Sequence, residues 1–119
     1  TLTVEADEQL LRQALFNLLL NALQAVESGG RVEVRWVATV PEEVALEICD
    51  DGPGVPEAER ASIFQPYVTM RPKGAGLGLA IVQQIVSAHR WEITCLANTP
   101  QGAVFRISHL KTATPRHEA

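Results

Sequence analysis

Cysteines, histidines and long apolar runs are scarce in this chain of 119 residues, and each shortage argues against a class of protein. The two cysteines, Cys49 and Cys95, lie far apart without a CxxC spacing, so a disulfide scaffold or zinc site is disfavoured and reduced cytosolic thiols are expected. The three histidines are scattered and suggest no metal cluster. The longest apolar stretches, such as Ala14–Leu23, are interrupted by asparagines and are too short to span a bilayer.

The chain is also poor in positive charge, with 10 lysines and arginines against 14 acidic residues. A net charge of −4 argues against a general nucleic-acid binder, which needs a clustered positive surface, but it leaves room for a single nucleotide. An apolar fraction of 46% predicts one folded domain, residues 1–110, followed by a flexible polar tail, residues 111–119. The start, TLTVEADEQL, does not resemble a signal peptide, and the absence of an initial Met suggests a piece of a longer protein.

Hydrophobic periodicity predicts two main helices and several strands. Apolar residues recur at helical spacing after Asp7, a good N-cap, until Ser28-Gly29-Gly30 ends the first helix. A second, mostly buried helix is predicted over Leu77–Ala88, a short one over Glu57–Ile63 and a mobile loop over Phe64–Gly76. Strands are predicted over Leu2–Glu5, Arg31–Thr39, Val44–Cys49, Trp91–Ala97 and Ala103–Leu110. This order predicts an α+β fold, a two-layer α/β sandwich whose mixed sheet carries helices on one face and is partly wetted on the other.

Uncharged amide side chains form a stripe along the first helix. Gln13, Asn17, Asn21 and Gln24 follow one another at helical spacing, with no charged residue among them. Asparagine is a poor interior helix residue because its side chain competes for backbone hydrogen bonds. A solvated face and a set of amide oxygens around a hard cation are interpretations that this stripe alone favours about equally.

An acidic residue stands on the apolar face of a predicted strand. Alternation after Val44, Leu46 and Ile48 points Asp50 inward, where a carboxylate needs good hydrogen-bond donors. The DGPG turn that follows, from Asp51, lets the main chain approach a flat ligand closely. Asp50 therefore either accepts from the exocyclic amine of a purine or merely caps the turn.

Glycines cluster before the second main helix. Gly74, Gly76 and Gly78 occur in the run GAGLGL, and Arg71 and Lys73 lie just before them. The exposed N–H groups of a helix N-terminus suit phosphate oxygens, although a flexible hinge explains the run comparably well. The Walker pattern does not fit, because no Gly-Lys-Ser/Thr follows, and the preceding loop disfavours a dinucleotide fold.

In their order, these three segments resemble the N, G1 and G2 boxes of the ATP-binding domain of histidine kinases, which belong to a larger group with type II topoisomerases, mismatch-repair ATPases and heat-shock chaperones. The matching runs are NLLLNALQAV from Asn17, DDGPGVP from Asp50 and GAGLGLAIV from Gly74, while IFQPYVT from Ile63 is similar to the F box. The resemblance runs from Leu2 to about Leu110. It implies the Bergerat-type fold, with three helices on one face of a mixed sheet.

The resemblance also implies a role for each matching residue. Asn17 and Asn21 would be the catalytic residues, with Asn21 binding Mg²⁺ and Asn17 beside the phosphates of ATP. Asp50 would bind the adenine amino group, and Gly52 and Gly54 would shape the pocket. The other ATP-binding residues would anchor the lid, hinge it or bring N–H groups and positive charge near the phosphates: Phe64, Tyr67, Arg71, Lys73, Gly74, Gly76, Leu77 and Gly78.

The resemblance implies a protein-histidine kinase domain that lies in the cytoplasm. Its parent protein can be anchored in a membrane. The domain would transfer the γ-phosphate of ATP to a histidine on a separate dimerisation and phosphoacceptor domain, with a response regulator receiver domain as a further partner. Neither nucleic acid nor direct membrane contact is expected. An ATP hydrolase is disfavoured because Asn17 stands where the hydrolysing relatives have a glutamate as general base. A serine kinase of the same group and a degenerate module for protein contacts are two further interpretations of the same motifs.

Two features depart from the family pattern. The run His89-Arg90-Trp91 replaces a frequent Gly-Gly after the second helix, so a different turn is expected there. Ala75 stands where Thr or Ser is common. None of the three histidines is expected to accept the phosphoryl group, since His117 lies in the predicted tail and His89 and His109 are more simply structural.

Overall fold

Helix α1, Glu8–Ala25, begins where the sequence places its cap. The Asp7 side chain accepts a hydrogen bond from the main-chain N–H of Leu10 at 3.1 Å, which satisfies one of the free donors of the first turn. The computed structural model describes residues 3–66 and 78–113. In it the helix ends earlier than the predicted Ser28-Gly29-Gly30, because the chain turns extended at Val26. The helix presents Ala14, Leu18 and Ala22 to the sheet as a fully buried stripe.

Four strands form one sheet in the spatial order β1-β2-β4-β3. Their bounds are Val32–Val40 for β1, Glu43–Asp50 for β2, Glu92–Ala97 for β3 and Ala103–Lys111 for β4. Helix α2, Gly78–Ala88, packs beside α1 on one face of this sheet. The buried apolar residues of both helices and of the strands beneath them form one core between the two layers. The predicted α+β sandwich is therefore confirmed.

The sheet and the third helix differ from the expectation in detail. All described pairings are antiparallel rather than mixed, because β1–β2 and β3–β4 are hairpins and β4 returns antiparallel to β2. The predicted strand Leu2–Glu5 reduces, within the described residues, to one bridge between Val4 and Thr112. The predicted helix Glu57–Ile63 consists of two 3₁₀ turns, Glu57–Glu59 and Ser62–Phe64. The Ser62 hydroxyl donates to the carbonyl of Glu59 at 3.0 Å, an acceptor that an α-helix would use.

The end of β4 includes part of the predicted tail. Lys111 belongs to the strand, and the main-chain N–H of Thr112 donates to the carbonyl of Glu42 at 2.8 Å. The remaining tail, residues 114–119, lies outside the described residues.

The turn after α2 departs from a glycine turn, as the sequence indicates. Arg90 takes the left-handed conformation, with φ +60°, that a glycine would adopt easily. His89 stacks on Trp91 with ring centroids 4.1 Å apart, and its Nδ1 lies 2.8 Å from the carbonyl oxygen of Ile85. Its Nε2 accepts the main-chain N–H of Asp7 at 3.0 Å, so the imidazole ties the end of α2 to the start of α1.

The face of the sheet away from the helices is polar at its centre. Glu47 is buried between two arginines, with its Oε2 accepting from Arg106 Nε at 2.7 Å and its Oε1 lying 3.2 Å from an Nη atom of Arg35. Both cysteines are free and buried, as expected for reduced thiols. Among the described residues, neither helix has the length and apolar character needed to cross a membrane.

Candidate functional site

Asp50, the last residue of β2, points inward as the alternation predicts and is only 2% exposed. Its Oδ1 accepts two main-chain hydrogen bonds, from Gly52 at 2.9 Å and from Ala103 at 3.3 Å. The bond to Gly52 closes the turn, so the capping role considered from the sequence is present. The bond from the main-chain N–H of Ala103 adds a second donor, from β4. A simple turn cap has only the first donor, so the direction of this carboxylate is fixed more firmly.

Glycines let the main chain pass closely around this carboxylate. A Cβ at Gly52 would lie 2.6 Å from the carbonyl oxygen of Ala25, so the loop rests directly on the end of α1. Gly54 has φ +78°, and a Cβ there would lie 3.0 Å from the carbonyl oxygen of Gly102. A side chain at position 52 would push the loop away from the end of α1, and one at position 54 would push it away from Gly102.

The hairpin between β3 and β4 forms the second wall of the site, a role that the sequence did not reveal. Asn98 Nδ2 donates to the main-chain oxygen of Asp50 at 2.8 Å, and Gln101 Nε2 donates to the carbonyls of Asp51 and Gly52 at 3.2 and 3.0 Å. Gly102, with φ +111°, lies so close that a Cβ would overlap the carbonyl of Asp50. The segment carried only the composition of a turn, so no local signal distinguished these residues.

The amide stripe of α1 divides into two kinds of position. Gln13 and Gln24 are exposed, whereas Asn17 and Asn21 are half-buried on the side of the helix that faces α2. Asn17 Nδ2 donates to the carbonyl oxygen of Gly78 at 3.3 Å, across 61 residues of sequence. The asparagine nearer to the helix N-terminus therefore meets the first residue of α2, and the two predicted catalytic residues lie one turn apart on one side of α1.

Of the residues that the resemblance assigns to a lid, Phe64 and Gly78 fall within the described structure. Phe64 packs edge-on against Phe105, with ring centroids 6.1 Å apart, so it is anchored in the core. Gly78 opens α2 and is exposed, with no atom near the place of a Cβ. The other residues assigned from the resemblance lie outside the described residues: Tyr67, Arg71, Lys73, Gly74, Gly76 and Leu77.

Two charged side chains, Arg60 and Asp50, influence the buried thiol of Cys95. Burial raises the pKa of the Cys95 thiol to about 11, while Arg60 lowers this pKa and Asp50 raises it. Arg60 is held by a hydrogen bond from its Nε to the carbonyl of Val55 at 3.0 Å. Burial therefore keeps this thiol protonated and uncharged at neutral pH.

The described residues contain no cluster of three or more His, Cys, Asp or Glu side chains that could hold a metal on its own. A divalent cation would here depend on amide oxygens and on oxygens of a bound ligand. That donor set is typical of Mg²⁺, which usually keeps several waters and takes one or two protein ligands beside substrate phosphates.

The model of the histidine kinase-, DNA gyrase B- and HSP90-like ATPase family matches residues 6–114. This chain belongs to that family. The match spans α1, the Asp50 loop and the start of α2. The matched part of this ATPase-family domain therefore includes both the inward Asp50 carboxylate and the asparagines of α1.

Histidine kinases are prominent among the relatives of this ATPase-family domain. The adaptive-response sensory kinase SasA of Rippkaea orientalis is 36% identical over 110 residues, which cover 89% of this chain and 28% of that kinase. The mycobacterial sensor histidine kinase MprB superposes with a TM-score of 0.84 at 36% identity, covering 93% of this chain and 76% of that structure. Full-length ShkA in complex with AMPPNP gives a TM-score of 0.82 at 36% identity, covering 96% of this chain and 24% of that structure. The domain thus spans about a quarter of the length of SasA and resembles the ATPase part of sensor kinases.

Proposed function

We propose that this domain binds Mg-ATP and donates its γ-phosphate to a histidine on a separate dimerisation and phosphoacceptor domain, as part of two-component signalling. The observation that carries the proposal is the inward Asp50 carboxylate, anchored by two main-chain donors in a loop built for close approach. The response regulator receiver domain expected from the sequence resemblance would be the further partner.

Asp50 suits an adenine ring for a simple chemical reason. An ionised carboxylate only accepts hydrogen bonds, and the exocyclic amine of adenine only donates them. Guanine has a carbonyl oxygen at the corresponding position, which the carboxylate would repel. The domain should therefore prefer adenine nucleotides. Gly52 and Gly54 would shape the pocket by letting the loop pack closely against Ala25 and Gly102.

The phosphate end of the site would use the half-buried amides of α1. Asn21 would supply an oxygen to Mg²⁺, and Asn17 would lie beside the phosphates while its Nδ2 donates to the carbonyl of Gly78. Mg²⁺, when bound with ATP, neutralises charge on the phosphate oxygens. An ionised glutamate at position 17 could not donate this hydrogen bond, and no general base for water stands there, so transfer to a histidine is favoured over hydrolysis.

The remaining assigned residues complete the proposal for the lid. Phe64 and Tyr67 would anchor it, and Arg71 and Lys73 would bring positive charge toward the phosphates. Main-chain N–H groups around the start of α2 would contact phosphate oxygens, which a helix N-terminus favours. The glycines that would hinge this movement are Gly74, Gly76 and Gly78, with Leu77 between the last two.

Titration calorimetry with AMPPNP, with and without Mg²⁺, tests the nucleotide site. We expect Mg²⁺-dependent binding that Asp50→Asn weakens at least about tenfold, since it replaces an acceptor by a group that can donate toward the base amine. Asp51→Asn is the matched control, because Asp51 is exposed and its Oδ1 accepts the main-chain N–H of Arg31 at 2.9 Å. Equal binding by both variants would contradict the role of Asp50.

Incubation with radiolabelled ATP tests the transfer. The chain should bind ATP yet label itself little, because its histidines are not the expected acceptors. Strong labelling of His89, His109 or His117 would contradict transfer to a separate domain, and rapid release of free phosphate would favour hydrolysis instead.

A further inference from the structure

Exposed apolar side chains occur on two elements of the domain, helix α1 and the edge strand β1. Within the described residues, large apolar side chains that are clearly exposed occur mainly on α1 and β1: Phe16, Leu20, Leu23, Val34, Trp36 and Val40. Val34 is 48% exposed and Trp36 is 46% exposed, and both lie on the side of the sheet that carries the helices. Exposed apolar side chains along the edge strand of a sheet favour association with another protein.

Strand β1 is an edge strand of the sheet, with β2 on one side and no described strand on the other. The main-chain N–H of Asp51 donates to the carbonyl of Arg31 at 3.2 Å, and Val32 is paired with Asp50 one step further. Because hydrogen-bonding directions alternate along an antiparallel strand, the odd-numbered residues bond toward β2. The main-chain groups of Val32, Val34 and Trp36 therefore point out of the sheet, where they can pair with another strand.

The opposite face of β1 carries two charges of opposite sign. Glu33 and Arg35 lie two residues apart, with Arg35 Nε 3.4 Å from a carboxylate oxygen of Glu33. If a second copy pairs antiparallel with a two-fold axis at Val34, Glu33 of each copy faces Arg35 of the other. An axis at Glu33 or at Arg35 would instead set like charges against each other, which destabilises a strand pair.

We propose that two copies of this chain associate through β1, antiparallel and with the two-fold axis at Val34, so that their two four-stranded sheets become one continuous sheet. The main-chain groups of Val34 bond to those of the second copy, and Val32 of each copy lies beside Trp36 of the other. The pairing uses the main-chain groups on the edge of β1 that faces away from β2, so it goes beyond the nucleotide function and does not depend on it.

Sedimentation velocity of this chain, from about 10 µM to about 1 mM, tests the association. We expect a monomer–dimer equilibrium that Val34→Lys weakens at least about tenfold, because it places two ammonium groups together at the axis. The hydrogen bonds between β1 and β2 should survive, since the main-chain groups of Val34 point away from β2. Circular dichroism and unchanged AMPPNP binding check that the variant stays folded.

Val40→Lys is the matched control. Val40 is 55% exposed on the same strand but lies beyond the paired segment of residues 32–36, so its substitution should change the dissociation constant by less than about twofold. Glu33→Arg should also weaken the dimer, because it sets arginine against arginine. A chain that stays monomeric throughout, or a dimer that both lysine variants weaken equally, overturns the proposal. If the β1 edge is covered only within a longer protein, its occupant is another domain and the proposal also fails.

Discussion

The side chain of Asn98 donates a hydrogen bond to the main-chain oxygen of Asp50 at 2.8 Å, across 48 residues of sequence. The same residue accepts the N–H of Thr99 on its Oδ1 at 2.9 Å and donates its own N–H to the carbonyl of Gly102 at 3.0 Å. One asparagine thus shapes the β3–β4 hairpin and fastens it to the end of β2. This contact holds the main chain at Asp50, from which the carboxylate projects, against the β3–β4 hairpin.

Replacing Asn98 by Asp should separate these two functions. Aspartate keeps an oxygen for the N–H of Thr99 but, when ionised, loses the donor to Asp50 and brings a second negative charge near it. We expect a loss of about 1–2 kcal/mol in the free energy of unfolding and a weakening of AMPPNP binding by about 3–10-fold. Urea denaturation and calorimetry measure the two effects. An Asn98→Asp protein with unchanged stability and affinity would show that the hairpin contact does not hold the site.

Glycine at position 102 should be far less replaceable than glycine at position 29. Both have positive φ, +111° and +84°, but a Cβ at Gly102 would overlap the carbonyl of Asp50, whereas one at Gly29 would meet nothing within 4 Å. Gly29→Ala should therefore cost only the backbone strain of about 1–2 kcal/mol. Gly102→Ala should cost at least about 3 kcal/mol, because the β2 and β4 ends must move apart.

Urea denaturation of the two alanine variants, side by side, checks this difference. Equal losses in the free energy of unfolding would mean that the close approach of Gly102 to Asp50 relaxes easily. In that case the hairpin would be a loose cover rather than a fixed wall of the site.

The parts of the structure that follow local periodicity could be predicted from the sequence. The stripe of Ala14, Leu18 and Ala22 and the inward direction of Asp50 both follow from side-chain spacing along one element. The α+β sandwich follows in turn from the order of such elements.

The remaining features depend on contacts that no local pattern reports. Asn98 and Gly102 meet Asp50 only after β4 pairs with β2, and their segment reads as an ordinary turn. The predicted helix Glu57–Ile63 is replaced by two 3₁₀ turns, in which the Ser62 hydroxyl donates to the carbonyl of Glu59, a contact that helix propensity does not report. The antiparallel sheet required knowing that β4, and not β3, lies beside β2.

Stability should fall at alkaline pH through Cys95. Burial is the main cause that raises the pKa of this thiol from 9.0 to about 11. Between these values the unfolded chain loses the proton while the folded chain keeps it, so the free energy of unfolding decreases as pH rises through this window and is unaffected below it. A shift of this size corresponds to at most roughly 2–3 kcal/mol.

Cys95→Ala provides the control, because other groups also titrate in this range. The free energy of unfolding of both proteins is measured in urea at intervals from pH 8 to 11. As pH rises, the original protein should lose more stability than the Cys95→Ala protein. A difference between the two proteins that stays constant over this range would mean that burial does not hold the Cys95 thiol protonated in the folded chain.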